Sequence, residues 1–226
     1  MLAPPELRKV HPLGKSPVVT IQAPGTSEPT VLAESGFIFQ YLCDHFGQGS
    51  TLVPNKWKDG QEGKLLGETE AWMRYTYLLH YTEVRSNAGA TRKLTFSEAL
   101  KGNQVPFFIR PVSSMLANKV ISMFVYPNIK KHLGFLETQL ETSGGEFLTG
   151  PDFTAADILM SYPLLAGRSA FDGLGEFAKG TAKESFPKVY AYMERLEAQE
   201  GWKRAVQKTK DFDGGNFSLV PTPREG

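Results

Sequence analysis

With 226 residues, the chain is long enough for one large domain or two modest ones around a proper core. Its composition, 41% hydrophobic and 22% charged, is that of a soluble globular protein, and a net charge of +1 argues against nucleic-acid or anionic-membrane partners. Its one cysteine, Cys43, excludes an internal disulfide, and no stretch approaches the roughly 20 apolar residues of a membrane span. The first ten residues hold no apolar core of signal-peptide length, so we expect a cytoplasmic protein.

The first 49 residues alternate short elements with turns. We predict a short helix over residues 4–10, strands over 18–21 and 30–32, and a helix over 35–45, where apolar residues recur on one face. The two predicted strands are joined by "QAPGTSEP", whose glycine, prolines and serine are typical of a hairpin connection.

Residues 50–60 form a predicted linker, and we expect the rest of the chain, 61–226, to be helical. Residues 65–81 are rich in aromatic side chains that favour a buried helix face. Residues 86–104 are predicted to be a loop or a frayed helix, and 218–226 a tail that is disordered or draped over the surface. Two stripes at helical spacing predict core faces: Ile129, Leu133, Leu136 and Leu140, and then Val189, Tyr192, Met193 and Leu196.

The stretch "FLTGPDFTAADI" predicts a helix start in the second half of the chain. Thr154 stands three residues before Asp157 and just ahead of an apolar run, which is the pattern of a capping box with aspartate in place of glutamate. We interpret it as a stabilising device without chemistry of its own.

A constrained turn, "HPLGKSP", precedes the first predicted strand. An X-Pro bond at this position is a plausible cis peptide, and Ser16–Pro17 is the candidate. Such a turn would leave the backbone of Ser16 able to pair with an extended peptide ligand, while Lys15 offers an ammonium to a carboxylate. The alternative is that Pro17 is only a turn residue.

Glu34 and Ser35 stand directly before the helix predicted over 35–45. The first turn of a helix carries unsatisfied N–H groups and attracts a carboxylate, to which Ser35 adds a hydroxyl, while Glu34 holds an ammonium. Together with the turn, this pair suits a short peptide with an amino-acid head and a carboxylate tail. The alternative is that Ser35 is an ordinary helix cap, because such caps are common.

These motifs, in this order, resemble the glutathione transferase superfamily. "HPLGKSP" resembles its N-P-x-G-K-V-P turn, "LAES" its E-S motif, "FLTGPDFTAADI" its capping box and "FPKVYAYMERL" a late helix, and the chain is most similar to fungal transferases of the yeast Gtt one type. The resemblance implies an α/β thioredoxin-like N-terminal domain over residues 1–49, without its first β-α-β unit, joined to an all-α C-terminal helical domain over 61–226.

The ligand that the resemblance implies is glutathione. Glu34 and Ser35 would hold its γ-glutamyl head, Ser16 would pair with the cysteinyl backbone beside cis Pro17, and Lys15 would approach the glycyl carboxylate. A pocket for a hydrophobic electrophile would lie between this domain and the helix around residues 72–81. The resemblance also implies a homodimer, a role in detoxification, and no nucleic-acid or membrane partner.

The sequence departs from the family at its start. The chain begins past the β-α-β unit that carries the family's thiol-activating serine, tyrosine or cysteine, so no catalytic residue can be assigned. A non-catalytic glutathione-binding or protein-interaction module therefore stays open beside the enzyme. Cys43 is expected to be a packed core residue rather than a substitute. The histidines show no metal-ligand spacing, so we expect no metal.

Overall fold

The computed structural model describes residues 6–82, 106 and 108–215. The predicted loop over 86–104 and the predicted tail over 218–226 lie outside the described residues. Within the described part of the chain, no helix has the length and apolar character required to cross a membrane.

The first elements follow the predicted order. Helix α1 spans Leu7–Val10, strand β1 spans Val18–Ile21, strand β2 spans Thr30–Ala33 and helix α2 spans Ser35–Phe46. The strands pair antiparallel, as the turn-rich connection between them predicts, and in residues 6–82 and 108–215 they form the only sheet. One side of α2 packs against this sheet and the helix also contacts the later helical part.

Residues 61–69, which directly follow the predicted linker, are not helical, contrary to our expectation. Helix α3 begins only at Glu70, and the segment before it folds back so that Trp57 and Glu68 form an antiparallel bridge. Gly60 and Gly63 adopt positive φ, as does Leu66 at 61°, so the backbone turns at every third residue where a helix would continue. The hydroxyl of Thr69 then accepts from the N–H of Trp72 and caps α3.

The described remainder of the chain is helical. Its elements are α3 (Glu70–Tyr81), α4 (Arg110–Val120), a π-helical turn (Ile121–Val125), α5 (Tyr126–Thr142), α6 (Ala155–Gly167), a 3₁₀ segment (Arg168–Leu174), α7 (Ala182–Ser185), α8 (Pro187–Ala198) and α9 (Glu200–Phe212). Helix α8 packs against α5 and α6, and α6 also packs against α3.

Both predicted apolar stripes are confirmed as core faces. Every member is buried: Ile129, Leu133, Leu136 and Leu140 on α5, and Val189, Tyr192, Met193 and Leu196 on α8. Cys43 is buried in the same core, as expected. The helical part is therefore held mainly by apolar burial between three neighbouring helices.

The predicted capping box is also confirmed, and its acid has a wider role than expected. The fully buried carboxylate of Asp157 accepts from the N–H and the hydroxyl of Thr154, both at 2.8 Å. Its other oxygen accepts from the N–H of Leu148 at 3.2 Å and the hydroxyl of Tyr192 at 2.8 Å. One carboxylate thus joins the start of α6, the loop before it and α8. Burial raises the pKa of Asp157, although these hydrogen bonds oppose the rise.

Candidate functional site

The hairpin register leaves the two predicted halves of the site at the same end of the sheet. The last observed pair is Val18 with Ala33, and β1 begins just after the turn, while β2 ends just before α2. Because the strands are antiparallel, the turn enters the sheet and the chain leaves it towards α2 at that one end.

The turn has the geometry that its sequence predicts. The Ser16–Pro17 peptide bond is cis, and Lys15, Ser16 and Pro17 are all exposed. Neither the N–H nor the C=O of Ser16 bonds to another backbone group in the described part of the chain. Gly14 closes the turn with a φ of 57°, and its N–H donates to the carbonyl of His11 at 2.8 Å.

Glu34 adopts a backbone conformation that residues other than glycine rarely occupy. Its φ is 70° and its ψ is 121°, and its carbonyl accepts from the N–H of Ile38 at 2.9 Å, which starts α2. A non-glycine residue in such a region costs about 1–3 kcal/mol and is found mostly where function requires it. The exposed carboxylate of Glu34 thus stands at a strained junction between β2 and α2.

A cleft of about 960 Å³ runs between α2 and α3. It lies where we predicted the electrophile pocket, but its lining is mixed rather than purely apolar: Phe37, Val53, Trp72, Tyr75 and Leu79 alternate with Glu34, Gln40, Asp44, Lys56, His80 and Asp152. Of the predicted site residues, only Glu34 lines this cleft. Lys15, Ser16, Pro17 and Ser35 lie outside its lining.

Lys56 is a cleft residue that the sequence analysis missed. Its Nζ lies 4.6 Å from the ring centroid of Trp57 and 4.9 Å from that of Trp72. Both distances are within the range of cation–π attraction. Trp57 directly follows Lys56 in the sequence, so that contact is local. Trp72 is sixteen residues after Lys56, and the turn-rich segment before α3 brings it near.

Tyr75 connects the cleft to the buried thiol. It lines the cleft from α3, yet its side chain is buried and its hydroxyl contacts Cys43. Burial, the hydrogen bond with Cys43 and the nearby Asp44 raise the pKa of Tyr75 well above its ordinary value. The phenol is therefore neutral at physiological pH, and the pair is a packed contact of the core.

Metal binding finds no support in the described residues. No group of three or more histidine, cysteine, aspartate or glutamate side chains there is arranged to hold an ion. His132 instead bonds to the hydroxyl of Tyr81, and the ring of His45 packs on Tyr41.

The comparisons with known proteins agree with the motifs. Residues 111–208 match the family model described as the glutathione S-transferase C-terminal domain. The chain is 29% identical to glutathione S-transferase 1 of Saccharomyces cerevisiae, over 95% of this chain and 82% of that protein.

Solved structures show the same architecture. A glutathione S-transferase of Actinobacillus pleuropneumoniae aligns with a TM-score of 0.58 at 25% identity, over 96% of this chain and 79% of that one. A glutathione transferase of Phanerochaete chrysosporium, solved with oxidized glutathione, aligns with a TM-score of 0.61 at 16% identity, over 93% and 79%. The small sheet with its helices is a thioredoxin-like N-terminal domain, and the helices from α3 onwards are the C-terminal domain. The chain is therefore similar to the glutathione S-transferase superfamily, with fungal transferases among the proteins that it resembles.

Proposed function

We propose that this protein is a glutathione transferase that joins the sulfur of glutathione to hydrophobic electrophiles. The observation that carries the proposal is the antiparallel hairpin, which has the Ser16–Pro17 turn and the Glu34–Ser35 pair at the same end of the sheet, where Glu34 lines the cleft. The related transferase that was solved with oxidized glutathione supports the same ligand. In this proposal residues 1–49 hold glutathione, 50–60 link the two domains and 61–226 complete the acceptor side.

The charges of glutathione match the groups at this end of the hairpin. The tripeptide has one ammonium and two carboxylates. We assign its ammonium to Glu34, and its γ-glutamyl carboxylate to Ser35 and the positive end of the α2 dipole. The free backbone groups of Ser16 then pair with the cysteinyl unit, and Lys15 approaches the glycyl carboxylate.

The reaction is attack by the thiolate on an electrophilic carbon. A carbon–sulfur bond forms, the bond to the leaving group breaks, and the leaving group departs with the electron pair. The thiol proton passes to water before attack, because the thiolate is the reactive form. A group that stabilises the thiolate would raise its population at neutral pH; we assign this role to no residue.

Binding of glutathione can be tested apart from catalysis. We expect Glu34→Gln to weaken glutathione binding by about tenfold, the size of one charge-assisted hydrogen bond. Glu28→Gln is the matched control, because Glu28 is an exposed acid at the opposite end of the same hairpin. Isothermal titration calorimetry and retention on glutathione-agarose measure glutathione binding by both variants. Equal binding by wild type and Glu34→Gln would refute the assignment of the ammonium.

Conjugation of chlorodinitrobenzene separates the enzyme from its alternative. Retention on glutathione-agarose together with conjugation supports a transferase, whereas retention alone supports a non-catalytic glutathione-binding module. A folded protein that shows neither would refute the proposal and leave a protein-interaction domain.

We further propose a homodimer in the cytoplasm with a role in detoxification. These proposals rest on the family resemblance alone. Sedimentation velocity tests the homodimer, because the molar mass derived for a dimer is twice that of the monomer.

A further inference from the structure

The cleft is longer than the ligand proposed for its mouth. It is lined from Glu34, just before α2, to Gln48, just after it. The twelve residues of α2 span about 18 Å at 1.5 Å per residue. An extended tripeptide covers only about 10 Å. Glutathione held at Glu34 therefore leaves room for a second ligand near the end of α2.

The ammonium of Lys56 lies against two indole rings at the cleft. Lys56 and Trp72 both line the cleft, and the Nζ lies 4.9 Å from the ring centroid of Trp72 and 4.6 Å from that of Trp57. The faces of the indole rings attract the charge and restrict the otherwise flexible side chain. The charge therefore has a defined position in the cleft.

The backbone of Lys56 is fixed by the cap of α3. The N–H of Thr69 donates to the carbonyl of Lys56 at 2.8 Å, and the hydroxyl of Thr69 contacts the carbonyl of Asn55. The same hydroxyl accepts from the N–H of Trp72. Thr69 thus bonds to the backbone of both Lys56 and Trp72, and so holds the backbone of the lysine close to that of one of its two aromatic neighbours.

The Lys56 ammonium has no carboxylate within ion-pair distance in the described part of the chain. It is the one lysine or arginine among the described lining residues, whereas Glu34, Asp44 and Asp152 supply three acids. Away from the start of α2, an anionic group in this cleft is repelled by the acids and attracted by the ammonium of Lys56. The charge pattern therefore favours an orientation in which the anion lies at Lys56.

We propose that Lys56 is a specificity residue that selects aromatic acceptors bearing a carboxylate or sulfonate. The anion pairs with the ammonium, and the aromatic ring packs among Trp72, Tyr75 and Leu79 on the same wall of the cleft. The role as acceptor rests on the proposed transferase function, but the binding of the anion does not.

The test compares two ligands that differ in charge. 4-Chloro-3-nitrobenzoate carries the anion, and 4-chloro-3-nitrobenzamide is its neutral counterpart. Both are titrated by calorimetry into the full chain without glutathione. Lys56→Met keeps an unbranched side chain on the indole rings and removes only the charge, whereas Lys56→Arg keeps the charge. Lys58→Met is the control, because Lys58 is two residues away and outside the cleft lining.

We expect Lys56→Met to weaken benzoate binding about fivefold and to change benzamide binding less than twofold. Lys56→Arg and Lys58→Met should both bind the benzoate like wild type. The proposal is overturned if wild type does not bind the benzoate, if Lys56→Met binds it unchanged, or if both ligands are weakened equally. Circular dichroism confirms that each variant is folded.

The two proposals fail in different ways. Benzoate binding that depends on Lys56, in a protein that does not bind glutathione, would refute the transferase and leave the anion site. If the protein conjugates glutathione to chlorodinitrobenzene but substitution of Lys56 does not change benzoate binding, the transferase is supported and the anion site is refuted.

Discussion

Removing the carboxylate of Asp157 should destabilise the protein more than any other single truncation of a polar side chain discussed above. Asp157→Ala leaves four buried donors without their acceptor: the N–H groups of Leu148 and Thr154 and the hydroxyls of Thr154 and Tyr192. The substitution therefore affects three segments of the chain at once.

The expected cost follows from the number of groups left unpaired. Each buried donor without an acceptor costs about 1–3 kcal/mol, and partial relaxation or an entering water recovers some of it. We therefore expect the free energy of unfolding to fall by about 3–5 kcal/mol. For a chain of this length, that corresponds to a drop in Tm of about 10 °C. Asp157→Asn should cost nearly as much, because one amide face presents donors to donors.

Thermal unfolding followed by far-ultraviolet circular dichroism at pH 7 measures the effect. Asp152→Ala is the control, since Asp152 is an exposed acid in the loop just before α6. The Tm of this control should stay within about 2 °C of wild type. A similarly small change in Asp157→Ala would show that the four hydrogen bonds contribute little and would refute the reasoning.

Three further predictions concern the α3–α5 contact, the second capping box and the strained junction. Arg74 donates to Gln139 and Thr142 at the end of α5, so Arg74→Lys, which loses the planar fork, should lower the Tm by about 3 °C in the same thermal assay. The N–H and the hydroxyl of Thr181 donate to the carboxylate of Glu184 and lower its pKa. The stabilisation by ionised Glu184 is therefore fully present above the pKa of the unfolded state, and it is lost as the pH falls through the lower pKa of the folded state. Carbon-13 NMR titration should show this pKa rising in Thr181→Val, and an unchanged value would contradict the assignment. Glu34→Gly should raise or preserve the Tm while glutathione binding falls, and a lower Tm would argue against strain at that residue.

The sequence predicts the parts of this fold that depend on local chemistry. The two apolar stripes recur at helical spacing, and the capping box is defined by residues three positions apart. The structure confirms both stripes as buried and the capping box as formed. The paired strands were also found because the connection between them is rich in turn residues. The antiparallel register then leaves the residues before β1 and those after β2 at the same end of the sheet.

The errors arise where distant residues decide the structure. Residues 61–69 were expected to be helical, but the Trp57–Glu68 bridge and the positive φ of residues 60, 63 and 66 turn the chain back on itself. The glycines at 60 and 63 are the sequence feature that indicates these turns. The position of the Lys56 ammonium depends on this fold-back, so no local pattern identifies it. The four contacts of Asp157 likewise include Tyr192, which is thirty-five residues away.

The antiparallel hairpin separates chain length from site geometry. Residues 22–29, which join β1 to β2, are all exposed, and a side chain added at Gly25 would meet nothing within 4 Å, although its φ of 84° favours glycine. The pairing of β1 with β2 sets the position of the opposite end, where Val18 pairs with Ala33. Extra residues inserted at the tip would add only a small closure entropy, about 0.6 kcal/mol for each doubling of its length. This bend is therefore the natural place to graft an epitope, a fluorophore or a purification tag.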